Sequence, residues 1–168
     1  PQKDSMMKQI ETDICIIGGG SGGLSLAAGA VQMGARVVLF EGGQMGGDCL
    51  NSGCVPSKAL LAAAKAAYLA NGNAAMGITN TPPNIDFTAV KAHVADVIAQ
   101  IEPHDSVARF EALGVTVIPE MAHFTGPRAV ASATHQVRAK YTVIASGSQP
   151  ALPPIPGLDQ TDFHSNET

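Results

Sequence analysis

Two cysteines in a glycine-rich segment are the residues of this chain best suited to chemistry. Cys49 and Cys54 stand five positions apart in the run GGDCLNSGCVPSK, which covers residues 46–58. They follow a G-x-G-x-x-G fingerprint at residues 18–23. A dinucleotide fingerprint followed by a close cysteine pair indicates two-electron transfer between a nucleotide cofactor and a disulfide.

The fingerprint lies where a predicted strand turns into a predicted helix. Residues 12–17 are a β-branched run typical of a buried parallel strand, residues 22–33 predict a helix, and residues 36–40 predict a second strand. Glycines at such a turn let the backbone approach a pyrophosphate, and a carboxylate ending the second strand binds a ribose that lacks a 2′-phosphate. A glycine-rich turn without a ligand is the alternative. The nucleotide site is expected at Gly18, Gly20, Gly23 and Glu41.

The cysteine spacing is incompatible with a disulfide inside one regular helix. Residues five apart in a helix have Cα atoms about 8.6 Å from each other, from its rise and radius, whereas a disulfide needs roughly 4.4–6.8 Å. The intervening residues must therefore loop, which Gly53 makes easy. Cys54 precedes a predicted helix start, and Lys58 is near enough to favour a thiolate. A metal site and an inert thiol pair are the alternatives.

The rest of the chain predicts further helices and strands around these motifs. An alanine-rich helix is expected from Ser57, a loop over 71–85, and one long helix from the Asp86 cap to residue 112, kinked or broken at Pro103. Short runs predict an antiparallel meander, and a last run predicts a core strand. The meander runs are 115–118, 122–125, 129–132 and 136–139, and the core strand is 141–145.

The amino-acid composition limits which class of protein this can be and which partners it is expected to bind. The chain has 168 residues, 45% hydrophobic and 14% charged, with a net charge of −4, which fits one domain with a real core. It has neither a basic patch nor an apolar run of the ~20 residues that span a bilayer, so neither nucleic acid nor a membrane is an expected partner. Three cysteines, an odd count, argue against a secreted disulfide scaffold, and we expect a cytoplasmic protein.

The cysteine segment resembles the redox-active disulfide motif of the class I pyridine nucleotide-disulfide oxidoreductases. That family contains dihydrolipoamide dehydrogenase, glutathione reductase and mercuric reductase. The fingerprint, Glu41, the cysteine motif and TVIASGSQP at 142–150 occur in the family's order. Ser57 and HDSV at 104–107 resemble the dihydrolipoamide dehydrogenase and mercuric reductase branch. The resemblance implies an α/β fold, a Rossmann-like FAD-binding domain with a parallel sheet, helices and a small antiparallel meander, incomplete at the C-terminus.

The resemblance also implies roles for individual residues. Cys54 would face the flavin and form a charge-transfer thiolate when reduced, and Cys49 would exchange with substrate. Asp48 stands where the family usually has Thr, and its charge could raise the pKa of Cys49 unless it is hydrogen-bonded. The implied FAD contacts are Gly18, Gly20, Ser21, Gly22, Gly23, Glu41, Gly42, Gly47, Asp48, Cys49, Lys58, Ala122, Ala145, Ser146 and Gly147.

The implied activity is that of a longer enzyme. Electrons would pass between NAD(P)H as co-substrate, FAD and the Cys49–Cys54 disulfide, with a small-molecule thiol, disulfide or metal ion as substrate. We expect residues 1–9 to be a disordered or vector-derived terminus, 10–150 the N-terminal part of the FAD-binding domain, and 151–168 a linker toward an NAD(P)-binding domain. The full-length enzyme is expected to be a homodimer, and this fragment alone inactive. A truncated nucleotide-binding module and a redox sensor without turnover are the alternatives.

Overall fold

The computed structural model describes residues 7–168. The first six residues of the predicted disordered terminus lie outside the described residues. The first strand begins at Lys8, four residues before its predicted start at residue 12 and two before the predicted start of the FAD-binding domain at residue 10. The strands are β1 Lys8–Ile17, β2 Val37–Phe40, β3 Gly72–Asn73, β4 Ile78–Thr79, β5 Thr116–Ile118, β6 His123–Gly126, β7 Ala129–Ala131 and β8 His135–Ile144. The helices are α1 Ser21–Gln32, α2 Gly47–Asn51, α3 Cys54–Ala70, α4 Phe87–Asp105 and α5 Val107–Ala112.

Six strands form one sheet in the order β5-β2-β1-β8-β7-β6. The first four are parallel and the last three are joined by antiparallel pairing. The predicted α/β fold with a parallel sheet and a small meander is confirmed. The run 115–118 was wrongly assigned to the meander, because β5 pairs parallel to β2 at the opposite edge of the sheet.

The last two predicted strands, 136–139 and 141–145, are one strand. β8 follows β1 along the whole of its length, from the Lys8–His135 pair to the Ile17–Ile144 pair. The pairs on either side of Asp13 and Lys140 keep the same register, and the side chains of these two residues form an ion pair of 2.7 Å. The predicted break between the two runs is therefore wrong, because β8 pairs with β1 in one register on both sides of it.

The sheet is buried on both faces. One face packs under α1 and α5, with Ile16, Leu39 and Phe110 in its core. The other holds Cys15 and Phe40 among strand residues of the meander. Cys15 is fully buried, as its β-branched setting predicted, and burial raises the pKa of its thiol to about 11. This packing fixes the strand ends from which the loops of the site emerge.

The helices differ from the prediction at their ends. The predicted long helix is two helices, because Ser106 ends α4 in an extended conformation and its hydroxyl accepts from the Arg109 amide at the start of α5. Pro103 lies within α4, whereas the Asp86 cap is confirmed by its contacts with the first-turn amides. α3 begins at Cys54, three residues before the predicted start.

The predicted loop over 71–85 contains a small hairpin of β3 and β4 around a 3-10 turn at Ala74–Met76. Gly72 and Gly77 both have positive φ angles, which permit this tight reversal. The tail after β8 is irregular apart from a 3-10 turn at Leu158–Gln160. None of the helices in the described part of the chain has the length and hydropathy needed to cross a bilayer.

Candidate functional site

Three loops meet at the carboxyl ends of the parallel strands and enclose a cleft of about 720 Å³. They follow β1, β2 and β8, the three adjacent strands at the centre of the sheet. Clefts at this end of a parallel sheet are the usual ligand sites of such folds. The predicted site residues that line the cleft are Gly18, Gly20, Ser21, Gly22, Glu41, Gly47, Asp48, Cys49, Cys54, Ala145, Ser146 and Gly147.

The glycine turn after β1 is held by close backbone contacts that exclude any side chain. A Cβ on Gly18, whose φ is 112°, would lie 2.2 Å from the carbonyl oxygen of Ala145. A Cβ on Gly23 would lie 1.9 Å from the Gly18 carbonyl oxygen. Gly23 does not line the cleft but lets α1 pack directly behind the turn. Both positions therefore need glycine for the reasons that the fingerprint predicted.

The first turn of α1 has backbone groups available for an anion. Gly20 is its N-cap, and no side chain in the described part of the chain caps this helix end. The initial N–H groups of a helix lack intrahelical partners and carry a partial positive charge. Ser21 and Gly22 are exposed on this turn and line the cleft. The arrangement suits a phosphate group.

Glu41 braces the loops on either side of it. One carboxylate oxygen accepts from the Gly19 amide at 2.6 Å and the other from the Gly43 amide at 2.6 Å. The side chain is half-buried and borders the cleft at the end of β2. Its position matches the acidic residue that the fingerprint requires, and the two amides hold the carboxylate in place.

A second, smaller cavity of about 310 Å³ adjoins the cleft beyond Glu41. Gly42 and Ala122, which are missing from the cleft itself, line this cavity together with Met121 and Phe124. Its wall is more apolar than that of the cleft because β6 and the end of β8 contribute to it. The two cavities share Gly18, Glu41 and Ser146, so they form one elongated depression.

The cysteines lie on two different helices that meet at the cleft. Cys49 is in α2, Cys54 is the first residue of α3, and the chain breaks between them at Ser52 and Gly53. This break confirms that the pair is not held in one regular helix. Cys49 is half-buried and Cys54 is exposed, both as free thiols, and both line the cleft.

The two thiols influence one another. A hydrogen bond with the Cys54 thiol raises the pKa of Cys49, and burial adds to the effect. The Lys58 charge lowers it in part, so Lys58 lies near the pair although it is outside the lining of the cleft. Asp48 does not contribute to this shift, and its carboxylate accepts hydrogen bonds from the Ser52 hydroxyl and from Asn166. The expected influence of Asp48 on this pKa is thus replaced by that of Cys54.

Five residues that were not predicted also line the cleft: Gln44, Asn51, Ser52, Ser148 and Glu167. Asn51 donates to the carbonyl oxygens of Met45 and Gly47, and so holds α2 against the loop that precedes it. Asn51 and Ser52 lie within the cysteine motif at 46–58, and Ser148 lies within the run TVIASGSQP at 142–150. Their membership of these motifs could have identified them as site residues. Gln44 and Glu167 lie in irregular segments, and nothing in their local sequence marks them.

The comparisons with known proteins agree with this geometry. A model of the pyridine nucleotide-disulphide oxidoreductase family matches residues 12–168. A mercuric reductase of Streptomyces lividans is 37% identical over 93% of this chain and 34% of its own length. A dihydrolipoyl dehydrogenase of Pseudomonas aeruginosa is 35% identical over 96% of this chain and 36% of its own.

A solved structure adds support for the fold. The HOCl-induced flavoprotein disulfide reductase RclA of Escherichia coli, solved as a Cu(II) complex, matches with a TM-score of 0.70 and 25% identity. The match covers 89% of this chain and 31% of that one. The chain spans between a quarter and about a third of the length of the relatives that it matches. It belongs to the pyridine nucleotide-disulphide oxidoreductase family.

Proposed function

We propose that this chain is the flavin-binding and disulfide-bearing part of an FAD-dependent NAD(P)H:disulfide oxidoreductase. The observation that carries the proposal is that Cys49 and Cys54 line the same cleft as the glycine turn and Glu41. A cysteine pair at a dinucleotide cleft can exchange two electrons with a cofactor bound in the cleft and then with a substrate outside the cleft.

The residues of the depression fit a dinucleotide. The free amides of Ser21 and Gly22 at the start of α1 would hold the diphosphate, and Glu41 the ribose. The adjoining cavity with Gly42 and Ala122 would take the adenine. Bound FAD would relay two electrons between a nicotinamide and the cysteine pair. Backbone from Gly47, Asp48 and residues 145–147 would complete the contacts.

Electrostatics in the cleft depend on backbone dipoles. Among residues 7–168, those lining the cleft include Glu41, Asp48 and Glu167 but neither Lys nor Arg. Glu41 and Asp48 are occupied by hydrogen bonds from neighbouring groups. A diphosphate would therefore be stabilised by the α1 amides and the helix dipole rather than by a side-chain cation.

The cysteines would reduce a substrate disulfide in two balanced steps. Cys49 as thiolate attacks one substrate sulfur, the substrate S–S bond breaks, and the first substrate thiol leaves with a proton. Cys54 as thiolate then attacks the Cys49 sulfur, their disulfide forms, and the second thiol leaves. Because the pKa of Cys49 is raised, its thiol keeps its proton at neutral pH, and the first step needs a base to remove it.

The names of the relatives suggest a class of substrate, and an exposed helix suggests how the full-length protein assembles. Mercuric reductases and dihydrolipoyl dehydrogenases among them favour a small thiol, a disulfide or a metal ion as substrate. A cytoplasmic location stays a prediction from the odd number of cysteines. A homodimer of the full-length protein is supported by α3, which leaves Leu61, Tyr68 and Leu69 exposed.

Reconstitution of the full-length protein with FAD tests the proposal. Anaerobic NAD(P)H should bleach the flavin and convert Cys49 and Cys54 from a disulfide to two thiols, detected by alkylation and mass spectrometry. The variant Cys49→Ser should retain FAD and lose substrate reduction. A wild-type protein that binds no FAD, or whose Cys49→Ser variant turns over normally, would rule out this function. We expect the 168-residue chain alone to bind FAD poorly and to show no turnover.

A further inference from the structure

The turn between the two cysteines is held by the residue before the first of them. The backbone carbonyl of Asp48 accepts from the amides of both Ser52 and Gly53, at 3.0 and 2.5 Å. These two residues are the break that separates α2 from α3. Asp48 thus contacts both residues of the break between the two cysteine-bearing helices.

The Asp48 side chain makes a second set of contacts with the same turn. Its Oδ1 accepts from the Ser52 hydroxyl at 2.8 Å, and Oδ2 lies so close to Gly53 that a Cβ there would stand 2.5 Å away. Gly53 has a φ of −107°, so glycine is required by this close approach and not by a positive φ. The carboxylate therefore covers the turn from the side.

The same carboxylate oxygen binds the C-terminal segment of the chain. Asn166 donates to Oδ1 of Asp48 at 2.8 Å across 118 residues of sequence. The next residue, Glu167, lines the cleft beside the cysteines. The segment after β8 is thus connected directly to the cysteine turn through one side chain.

We propose that Asp48 is a positioning residue that links the C-terminal segment to the Ser52–Gly53 turn and holds Cys54 next to Cys49. The inference rests on the proposed function, in which the pair cycles between dithiol and disulfide. A turn held in this way raises the effective concentration of one sulfur at the other, and so favours the disulfide at equilibrium. Movement of the C-terminal segment then changes the stability of that disulfide.

The state of Cys49 provides an independent measure of the same effect. Hydrogen bonding with the Cys54 thiol raises the pKa of Cys49, so this shift depends on the turn that Asp48 holds. Loss of the Asp48 contacts separates the thiols and returns the pKa of Cys49 toward its ordinary value. The charge of Lys58 acts in the same downward direction in all variants and does not explain a difference between them.

Equilibration of the full-length protein with glutathione buffers tests the proposal. Each protein exchanges two thiols and one disulfide with oxidised glutathione, and alkylation followed by mass spectrometry gives the fraction of Cys49–Cys54 disulfide. Ser52→Ala removes one hydrogen bond and should lower the equilibrium constant for disulfide formation about fivefold. Asp48→Ala should lower it further, within about 5–30-fold. Asn166→Ala should shift it in the same direction.

Matched variants distinguish the effect of the Asp48 hydrogen bonds from the effect of its negative charge. Asp48→Asn keeps the Oδ1 acceptor while removing the charge, and should leave the equilibrium within about twofold of wild type. Asp96→Ala, an exposed acid on α4, is the control and should change nothing. The pH profile of Cys49 alkylation should move to lower pH in Asp48→Ala, Ser52→Ala and Asn166→Ala, but not in Asp48→Asn or Asp96→Ala.

The outcomes are distinct. An unchanged equilibrium in both Asp48→Ala and Ser52→Ala overturns the proposal, as does an Asp48→Asn shift equal to that of Asp48→Ala. No shift in Asn166→Ala overturns the link to the C-terminal segment. The measured disulfide equilibrium needs neither FAD nor turnover. An inactive protein that shows the predicted shifts would therefore contradict the proposed function but support the positioning role of Asp48.

Discussion

Adding one methyl group to α1 should have opposite effects on stability at two glycines six residues apart. Gly23 and Gly29 both lie in α1. A Cβ at Gly23 would stand 1.9 Å from the Gly18 carbonyl oxygen and 3.3 Å from Cγ2 of Ile16. A Cβ at Gly29 would meet no atom of the described chain within 4 Å. The two variants Gly23→Ala and Gly29→Ala therefore compare a blocked site with an open one.

The magnitudes follow from these distances. Alanine is favoured over glycine in a helix interior by about 1 kcal/mol, and Gly29→Ala should gain roughly 0.5–1 kcal/mol of folding free energy. At Gly23 the helix must instead move away from the turn or distort it, and overpacking of this kind costs about 1–3 kcal/mol. Because the clash at Gly23 is with a backbone oxygen at 1.9 Å, its cost should lie in the upper part of this range, at about 2–3 kcal/mol. Less the helix gain of about 1 kcal/mol, the net change for Gly23→Ala should be a loss of about 1–2 kcal/mol.

Urea unfolding of the chain, followed by circular dichroism, measures both changes. With a slope of about 2 kcal/mol per molar, the midpoint should fall by about 0.5–1 M for Gly23→Ala and rise by about 0.3–0.5 M for Gly29→Ala. Equal stabilisation by the two substitutions would refute the close contact between α1 and the glycine turn. The same displacement should weaken nucleotide binding in Gly23→Ala but not in Gly29→Ala.

Three further predictions concern charges and thiols. Cys54→Ser should lower the pKa of Cys49, because the Cys54 hydrogen bond is the main cause of its rise, and the midpoint of the alkylation rate against pH measures this. Two neighbouring cations hold the pKa of Asp13 well below its usual range. Asp13→Asn should therefore reduce stability at neutral pH, and the difference in unfolding free energy from wild type in urea titrations should shrink below about pH 4. The control Asp96→Asn should show no such dependence on pH. Glu41→Gln should weaken FAD binding by the full-length protein about tenfold in fluorescence titrations, since a carboxylate accepts a ribose hydroxyl more strongly than an amide does.

The central sheet was predictable because its signals are local. The β-branched run before the glycines, the fingerprint itself and Glu41 predict a strand, a turn and a second strand, and the structure has all three. The pairing of β5 with β2 was not predictable, because a three-residue strand carries the same pattern at a parallel edge as in a meander. Similarly, the continuity of β8 depends on the length of β1, to which it is paired.

The site was predictable to the extent that its residues lie in motifs. The glycine turn, Glu41 and both cysteines could be found from spacing, and the structure brings them to one cleft. The start of α3 at Cys54 was missed because Pro56 suggested a later start, whereas proline is tolerated throughout the first turn of a helix. The contacts of Asp48 with Asn166 join positions far apart in sequence, and only the folded chain reveals them.

The central claim is that Cys49 and Cys54 form a reversible disulfide at the dinucleotide cleft. Its most direct measurement is the redox state of these two residues in the full-length protein before and after anaerobic NAD(P)H, with and without FAD, read by differential alkylation and mass spectrometry. We predict a Cys49–Cys54 disulfide beforehand, and two thiols afterwards only when FAD is bound. Cysteines that remain unlinked in the oxidised protein, or a disulfide that NAD(P)H leaves intact in the FAD-loaded protein, would contradict the claim.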